Sequence, residues 1–221
     1  MEFGLRATPS SLAKLEQYYE YLIKENQVMN LTAITDREAV YARHFLDSLA
    51  ILKTGPLAGA TLLDVGAGAG FPSLPLKIFV PELKVTIIEA TKKKIEFLKR
   101  LLGILDIADV ELLALRAEAY AGRERFDIVT ARAVAALNEL AELCLPFTKV
   151  GGRFIAMKAT GYEAELETAM TAISKLGGRF ESVIPYQIAP DRTHVLIVIR
   201  KQKPTPTIYP RAFGKIKKNP L

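Results

Sequence analysis

A glycine-rich turn directly follows a short apolar segment, and this turn restricts the fold more than any other feature of the chain. The apolar segment ends at an acid, Asp64, after which glycine recurs at every second position, at Gly66, Gly68 and Gly70. Glycine adopts backbone angles that other residues avoid and lets a ligand approach the main chain. Because Pro72 suits the first position of a helix, the pattern predicts a strand, a tight turn and a helix, with a nucleotide-type ligand at the carboxyl end of the strand.

Strand-like and helix-like segments alternate beyond this turn. Strands are predicted at 61–65, 84–89, 110–115, 126–130 and 152–157, and helices at 71–79, 91–102, 137–145 and 163–176. This rhythm favours an α/β fold in which helices cover both faces of a mostly parallel sheet. The last two strand-like segments, 180–187 and 193–200, are separated by a short turn at Pro190 and Asp191. They are therefore predicted to form an antiparallel hairpin at or near the sheet edge.

Two helices are predicted before the first strand. The first covers 9–28, where apolar residues recur at three- and four-residue spacing, and the second begins with a capping box from Thr35 to Glu38 and continues to about residue 52. His44 lies in the second helix, and no metal-ligand spacing accompanies it, so a packing or surface role is favoured over a catalytic one. The expected organisation is a helical cap at 1–58, packed on a core at 59–200, and a basic tail at 201–221.

The positive charge of the chain is concentrated at its end. The formal net charge is +6, and the first 200 residues contain equal numbers of acidic and basic residues. The excess comes from Lys201, Lys203, Arg211, Lys215, Lys217 and Lys218. Such asymmetry favours a polyanionic partner, nucleic acid first, although a solvated tail that aids solubility remains an alternative on charge alone.

Other bulk features exclude several protein classes. No apolar segment reaches the roughly 18 residues that a membrane helix needs, and the first residues lack the pattern of a secretory signal. A single cysteine, Cys144, is incompatible with an internal disulfide or a cysteine-rich metal site. These features predict a cytoplasmic protein without membrane attachment or a bound metal.

The spacing of the turn favours one nucleotide ligand over another. The dinucleotide-binding pattern is G-x-G-x-x-G, whereas this turn is one residue shorter and carries Asp64 two residues before Gly66. An acid beside the turn favours a ligand with a cationic head, which S-adenosylmethionine provides. Glu89 follows the second strand, 23 residues after Gly66, and is expected to accept the ribose hydroxyls. A nucleotide-binding oxidoreductase and a turn without a ligand remain alternatives.

Two further segments are expected to reach the same crevice. Glu118 follows the third strand, where an acid can bind an adenine amino group, although a solvated glutamate is equally compatible with this position. Arg132 follows the fourth strand, whose carboxyl end faces the ligand crevice in such sheets.

The motif Asn/Asp-Pro-Pro-aromatic, typical of enzymes that methylate exocyclic amines, does not occur. Cys144 lies in an apolar segment that indicates packing rather than nucleophilic chemistry. The acceptor that remains is one that needs neither a base nor a covalent intermediate.

The chain resembles the bacterial small-subunit ribosomal RNA methyltransferase G family, also called glucose-inhibited division protein B. The resemblance is carried by NLTAIT at 30–35, RHFLDSL at 43–49, LDVGAGAGFP at 63–72, KKKIEFL at 92–98, RAE at 116–118, TARA at 130–133 and YPR at 209–211. It implies a class I S-adenosylmethionine-dependent methyltransferase fold, Rossmann-like, with a seven-stranded sheet. It also implies methyl transfer to nitrogen-7 of one guanosine in the decoding region of 16S rRNA. The implied cofactor contacts are Gly66, Phe71, Ala117, Glu118 and Arg132.

The chain departs from the family pattern at two places. The family commonly has Gly-Pro within its glycine turn, where this chain has Gly68 and Ala69, a change that most turn geometries tolerate. After Arg211 the family often has Lys-x-Gly-Thr-Pro, whereas Ala212-Phe213-Gly214-Lys215-Ile216 follows here. The second change makes the RNA contacts of the tail less certain to follow the family.

The expected partner is 16S rRNA, either bare, in an assembly intermediate or in the 30S subunit, bound by a monomer. Arg132 is expected to orient the base or to fix the cofactor. The candidate RNA contacts are Asn30, Lys158, Arg211, Lys215, Lys217 and Lys218. A non-catalytic RNA-binding assembly factor that retains the cofactor site is the remaining alternative.

Overall fold

Seven strands form one sheet in the order β3-β2-β1-β4-β5-β7-β6. The computed structural model describes residues 6–132, 135–189 and 192–221. The strands are β1 (Thr61–Val65), β2 (Lys84–Ile88), β3 (Val110–Leu113), β4 (Phe126–Arg132), β5 (Thr148–Ala159), β6 (Gly178–Ala189) and β7 (Arg192–Lys201). The first five are parallel, and β7 pairs antiparallel with both β5 and β6. The predicted sheet and hairpin are confirmed, while the turn predicted at Pro190 and Asp191 lies outside the described residues.

The central strands are apolar on both faces because helices cover both faces of the sheet. In β1, Leu62 packs into one cluster of buried side chains and Leu63 into the other, and both are fully buried. β1 lies between β2 and β4, so the strand order reverses beside it. A ligand crevice forms at such a reversal, outside the carboxyl ends of the strands.

Eight α-helices surround the sheet in the described part of the chain. They are α1 (Pro9–Met29), α2 (Arg37–Val40), α3 (Asp47–Leu49), α4 (Ser73–Phe79), α5 (Lys92–Ile104), α6 (Leu137–Cys144), α7 (Glu163–Lys175) and α8 (Phe213–Lys218). α1 packs against α4 and α5, whereas α6 contacts α7 and α8 on the other side. The helix α4 begins at Ser73, so Pro72 precedes the helix rather than opening it.

The second predicted helix of the cap is interrupted. α2 continues into a π-helical turn at Tyr41–Leu46, then into α3 and a 3₁₀ turn at Ala50–Thr54. The predicted capping box is wrong, since the cap is Asp36, whose carboxylate accepts a hydrogen bond of 2.8 Å from the backbone N–H of Ala39. π-helical turns often occur at functional sites, and this one places His44 and Asp47 above the crevice.

Candidate active site

The glycine turn joins β1 to α4 with all three glycines at positive φ. The angles are +74° at Gly66, +60° at Gly68 and +102° at Gly70, a region that other residues rarely adopt. A Cβ atom at Gly68 would meet nothing within 4 Å, whereas one at Gly70 would lie 2.6 Å from the Tyr18 hydroxyl. The turn is thus open to a ligand at Gly68 and closed by the protein at Gly70.

Asp64 lies beneath the turn and is fully buried. Its Oδ2 accepts a hydrogen bond of 3.1 Å from the backbone N–H of Ser73, at the start of α4, while Oδ1 has no partner among the described residues. Burial raises the pKa of Asp64 to about 7. An unpaired buried carboxylate oxygen beside a glycine turn fits a cationic ligand or a water that bridges to one. Direct contact with the cofactor stays a prediction.

Glu89 extends from the end of β2 toward the same turn and is 7% exposed. Its Oε2 accepts from the backbone N–H of Gly68 at 3.2 Å, and its Oε1 accepts from that of Thr91 at 2.9 Å. These bonds fix the carboxylate while each oxygen keeps acceptor capacity. This geometry is compatible with hydrogen bonds from ribose hydroxyls, and ribose binding by Glu89 stays a prediction.

A cavity of about 280 Å³ opens beside Gly66 and Glu89. Ala117 and Glu118, from a 3₁₀ turn after β3, form its far side. Its remaining lining residues are Val65, Ile88, Ala90, Leu115, Arg116, Leu143 and Phe213. Apolar walls with carboxylates at the edge suit a nucleoside, so the residues present fit the adenosine part of S-adenosylmethionine. Leu143 and Phe213 were not predicted from the sequence.

Arg132 ends β4 and contacts the ring of Phe71, the first residue after the glycine turn. The guanidinium carbon lies 5.0 Å from the ring centroid. The rings of His44 and Tyr18 also stack on Phe71, at centroid distances of 4.6 and 5.3 Å. The cap thus supplies both stacking rings, and His44 packs against Phe71, a contact that its isolated position in the sequence did not indicate.

His44 is held in its neutral form. Its Nε2 lies 2.8 Å from the Thr32 hydroxyl, and its Nδ1 lies 3.4 Å from Nη2 of Arg132. Burial, and then the charge of Arg132, lower the pKa of His44 to about 4. At neutral pH the ring is therefore an uncharged stacking group.

Asp47 anchors Arg132 from the cap and is 2% exposed. Its Oδ2 accepts from Nη1 of Arg132 at 2.9 Å. Its Oδ1 accepts from the Tyr186 hydroxyl at 2.8 Å and lies 2.9 Å from Nδ1 of His194. Burial opposes ionisation, but the hydrogen bonds from His194 and Tyr186 and the Arg132 cation outweigh it, so the pKa of Asp47 lies below its ordinary value. Sequence reasoning missed these three partners of Asp47, although Asp47 lies in the RHFLDSL motif.

A second cavity, of about 360 Å³, is lined in part by Arg132. Besides Arg132 it is lined by Ile34, Arg43, His44, Asp47, Met157, Lys158, Ala159, Arg192 and His194. The one carboxylate in this lining, Asp47, is paired with Arg132, so the cavity is cationic. It is therefore suited to an anionic substrate.

Several of the predicted RNA contacts have acidic partners within the chain. Lys158 pairs with Glu165 at 2.6 Å and donates to the carbonyl of Ala135. In the C-terminal segment, Arg211 pairs with a glutamate at 2.6 Å and Lys217 with another at 3.0 Å. Asn30, Lys215 and Lys218 are exposed. For all six residues, RNA contact stays a prediction.

Two kinds of feature are absent from the described ranges 6–132, 135–189 and 192–221. No helix there is both long and apolar enough to cross a membrane. Nor do three or more histidine, cysteine, aspartate or glutamate side chains there gather as metal ligands would.

Solved structures of other proteins share this fold. TYW2 from M. jannaschii, solved in complex with AdoMet, superposes with a TM-score of 0.59 at 16% identity, over 75% of this chain and 77% of that chain. YcgJ from Bacillus subtilis superposes with a TM-score of 0.57 at 16% identity, over 72% of this chain and 100% of that one. At this identity the likeness concerns the fold.

Sequence relatives are much closer. The ribosomal RNA small subunit methyltransferase G of Lacticaseibacillus paracasei is 50% identical over 92% of this chain and 88% of its own length. That of Ligilactobacillus salivarius is 46% identical over 99% of this chain and 94% of its own length. The model of the GidB family, described as rRNA small subunit methyltransferase G, matches residues 11–195. The chain therefore belongs to the GidB family of rRNA small subunit methyltransferases.

Proposed function

We propose that the chain transfers the methyl group of S-adenosylmethionine to nitrogen-7 of a guanosine in the decoding region of 16S rRNA. The observation that carries this proposal is a pair of cavities, one bounded by the glycine turn and Glu89 and the other lined by Arg132. The first cavity has carboxylates and apolar walls, which suit the nucleoside of the cofactor, and the second is cationic, which suits a nucleotide of RNA. Membership of the rRNA methyltransferase family supports the same assignment and replaces the oxidoreductase interpretation.

The proposed methyl transfer makes little use of acid–base groups. Nitrogen-7 of guanine is an unprotonated acceptor on the major-groove edge, so methyl transfer to it needs no general base. His44, whose pKa of about 4 makes it a weak base, is consistent with this chemistry. When bound, S-adenosylmethionine supplies an electrophilic methyl group on a cationic sulfur. The protein has to align donor and acceptor, and such alignment is worth up to about 7–11 kcal/mol.

Charge at the reacting centre is balanced by the protein. An Arg132 cation without a counter-ion would repel the positively charged sulfur of the cofactor before transfer and the positively charged methylated purine after it. Asp47, 2.9 Å from Arg132, neutralises that charge while leaving the remaining guanidinium N–H groups to donate. Arg132 is therefore able to donate to guanine acceptor atoms such as O6 without adding a net positive charge.

The target base has to leave its stack to enter the second cavity, as enzymes that modify bases require. Arg43 and Arg192 line that cavity and are the cations available to the phosphate of the target nucleotide, whereas Lys158, which also lines it, is paired with Glu165. The exposed Asn30 lies two residues before Thr32, which contacts His44, so RNA reaching Asn30 would also lie near the cavity.

A methyl-transfer assay with radiolabelled cofactor tests the proposal. The substrates are bare 16S rRNA, an assembly intermediate and 30S particles, followed by digestion to nucleosides. We expect label in 7-methylguanosine from at least one of them, and none from RNA that carries 7-deazaguanosine at the target. Label in another nucleoside, or no label in any substrate, would contradict the proposal, and the second result would favour a non-catalytic assembly factor.

A further inference from the structure

The C-terminal segment reaches the cofactor cavity rather than extending into solvent. Phe213, the first residue of α8, lines the first cavity together with Ala117 and Leu143. The guanidinium carbon of Arg116, another lining residue, lies 5.1 Å from the centroid of the Phe213 ring. An aromatic ring therefore forms part of the wall of the adenosine cavity, contributed by a segment whose charge alone suggested only RNA binding.

Anchors on both sides of Phe213 hold the ring at this place. On one side, Arg211 binds the fully buried Glu142 through three hydrogen bonds: from its backbone N–H at 2.8 Å, from Nε at 2.8 Å and from Nη2 at 2.6 Å. Glu142 precedes Leu143 in α6, so the anchor adjoins the cavity wall. On the other side, Ile216 is fully buried in the apolar cluster that contains Leu143.

Phe213 lies at a position that the family pattern does not fix. The residues after Arg211 differ from the pattern Lys-x-Gly-Thr-Pro, and Phe213 occupies the variable position of that pattern. An aromatic residue at this site gives the cavity a flat apolar surface. Adenine is a flat heteroaromatic ring that gains from contact with aromatic side chains.

We propose that Phe213 is a cofactor-binding residue whose ring packs against the adenine of S-adenosylmethionine, so that the C-terminal segment forms part of the cofactor site. This inference rests on the cofactor of the proposed function. It separates two roles within one segment: Phe213 serves the cofactor, while the exposed lysines of α8 remain candidates for RNA.

Calorimetric titration of the full chain with S-adenosylhomocysteine, in the absence of RNA, tests the inference. For Phe213→Ala we expect the dissociation constant to rise on the order of ten-fold, the effect of losing an aromatic–base contact. Phe213→Tyr should restore most of the affinity because it keeps the ring. The matched control is Ile208→Ala, in the same segment, since Ile208 is 70% exposed and does not line the cavity.

A fluorescence measurement gives an independent readout. The chain contains no tryptophan, so Phe213→Trp introduces a single reporter into the cavity wall. We expect its emission to change as S-adenosylhomocysteine saturates the site, and the emission of Ile208→Trp to stay constant.

The outcomes distinguish this inference from the assignment of the cofactor. If the unsubstituted chain fails to bind S-adenosylhomocysteine, the cofactor assignment itself is wrong and the inference falls with it. If the unsubstituted chain binds, but Phe213→Ala binds equally well or the emission of Phe213→Trp does not respond, the inference alone is overturned. Because Phe213→Trp keeps an aromatic ring, it tests the contact even if Phe213→Ala unfolds.

Discussion

Asp47 and Arg132 form an ion pair of 2.9 Å that joins the cap to the carboxyl end of β4. The other carboxylate oxygen of Asp47 contacts Tyr186 of β6 and His194 of β7. One buried carboxylate thus connects the cap with three strands and sets the position of the arginine that lies over Phe71. The cap therefore positions Arg132 and does more than cover the sheet.

Asp47→Asn should impair both catalysis and stability. The substitution leaves Arg132 with an uncompensated charge, and removing one partner of a buried ion pair lowers the free energy of unfolding by about 3 kcal/mol or more. We expect at least a ten-fold lower methylation rate, measured at saturating RNA, together with a lower melting temperature. Glu181→Gln is the control, because its pair with Arg200 lies at the surface and such pairs contribute roughly 0–1 kcal/mol.

Arg132→Ala should weaken cofactor binding, lower the methylation rate, or both. Arg132→Lys keeps the charge but loses the planar set of donors that reaches Asp47 and the Arg43 carbonyl. We therefore expect the lysine variant to recover only a small part of the activity. Cofactor titration and single-turnover methylation measure the two effects separately, and unchanged values in Arg132→Ala would show that Arg132 has neither role.

His44 should titrate far below an ordinary histidine, because burial and the neighbouring Arg132 cation oppose its protonation. The chain has only two histidines, so the ring signals in an NMR titration can be assigned with His44→Gln and His194→Asn. The signal lost in His44→Gln should have its midpoint near pH 4. The pKa of His44 is lower in the folded state than in the unfolded state. Neutral His44 therefore makes its full contribution to the free energy of unfolding above about pH 6.5, and this contribution is lost as the pH falls toward 4. A midpoint near 6.5 would contradict the buried position of His44.

Asp64 should make the protein without cofactor less stable as the pH rises. Its pKa is raised from 3.8 to about 7, so the folded state binds a proton more tightly than the unfolded state between these values. The free energy of unfolding should therefore fall from about pH 4 to about pH 7 and stay level above. Asp64→Asn removes this dependence. The melting temperature of this variant minus that of the unsubstituted chain should therefore be larger at pH 8 than at pH 5. An equal difference at both pH values would show that Asp64 ionises normally.

The exposed lysines of α8 should contribute to RNA binding through phosphate contacts. Deleting 201–221 is a poor test, because Lys201 is buried and donates 2.6 Å to the carbonyl of Leu145. The double substitution Lys215→Ala, Lys218→Ala should weaken RNA binding at low salt. It should also reduce the slope of log affinity against log salt by roughly 0.7 for each lost contact. The control is Lys84→Ala, at the amino end of β2. An unchanged slope in the double variant would support a solubilising role for Lys215 and Lys218.

The sheet could be predicted from the sequence because its signals are local. The short apolar segment that ends at Asp64 and the glycine turn after it are neighbours in the sequence, and the structure confirms both the strand and the turn. The contact of Asp47 with His194 could not be predicted in this way, because 147 residues separate them and only the strand order brings them together. The pairing of Arg211 with Glu142 is hidden for the same reason, since 69 residues separate them. α8 was missed because it is short and lysine-rich, and its helical form depends on the burial of Ile216.

The three glycines of the turn meet two different demands. Gly68 faces open space, where a ligand approaches, but Gly70 lies against the Tyr18 hydroxyl, which also donates to the carbonyl of Ala69 at 2.5 Å. A methyl group at position 70 would push the first helix away from the sheet even before its own backbone strain is counted. Positions 18 and 70 therefore form a single packing unit, and relatives with a larger residue at 70 should carry a smaller one at 18. The glycine motif, which resembles a ligand-binding signature, therefore also reflects how the cap packs against the sheet.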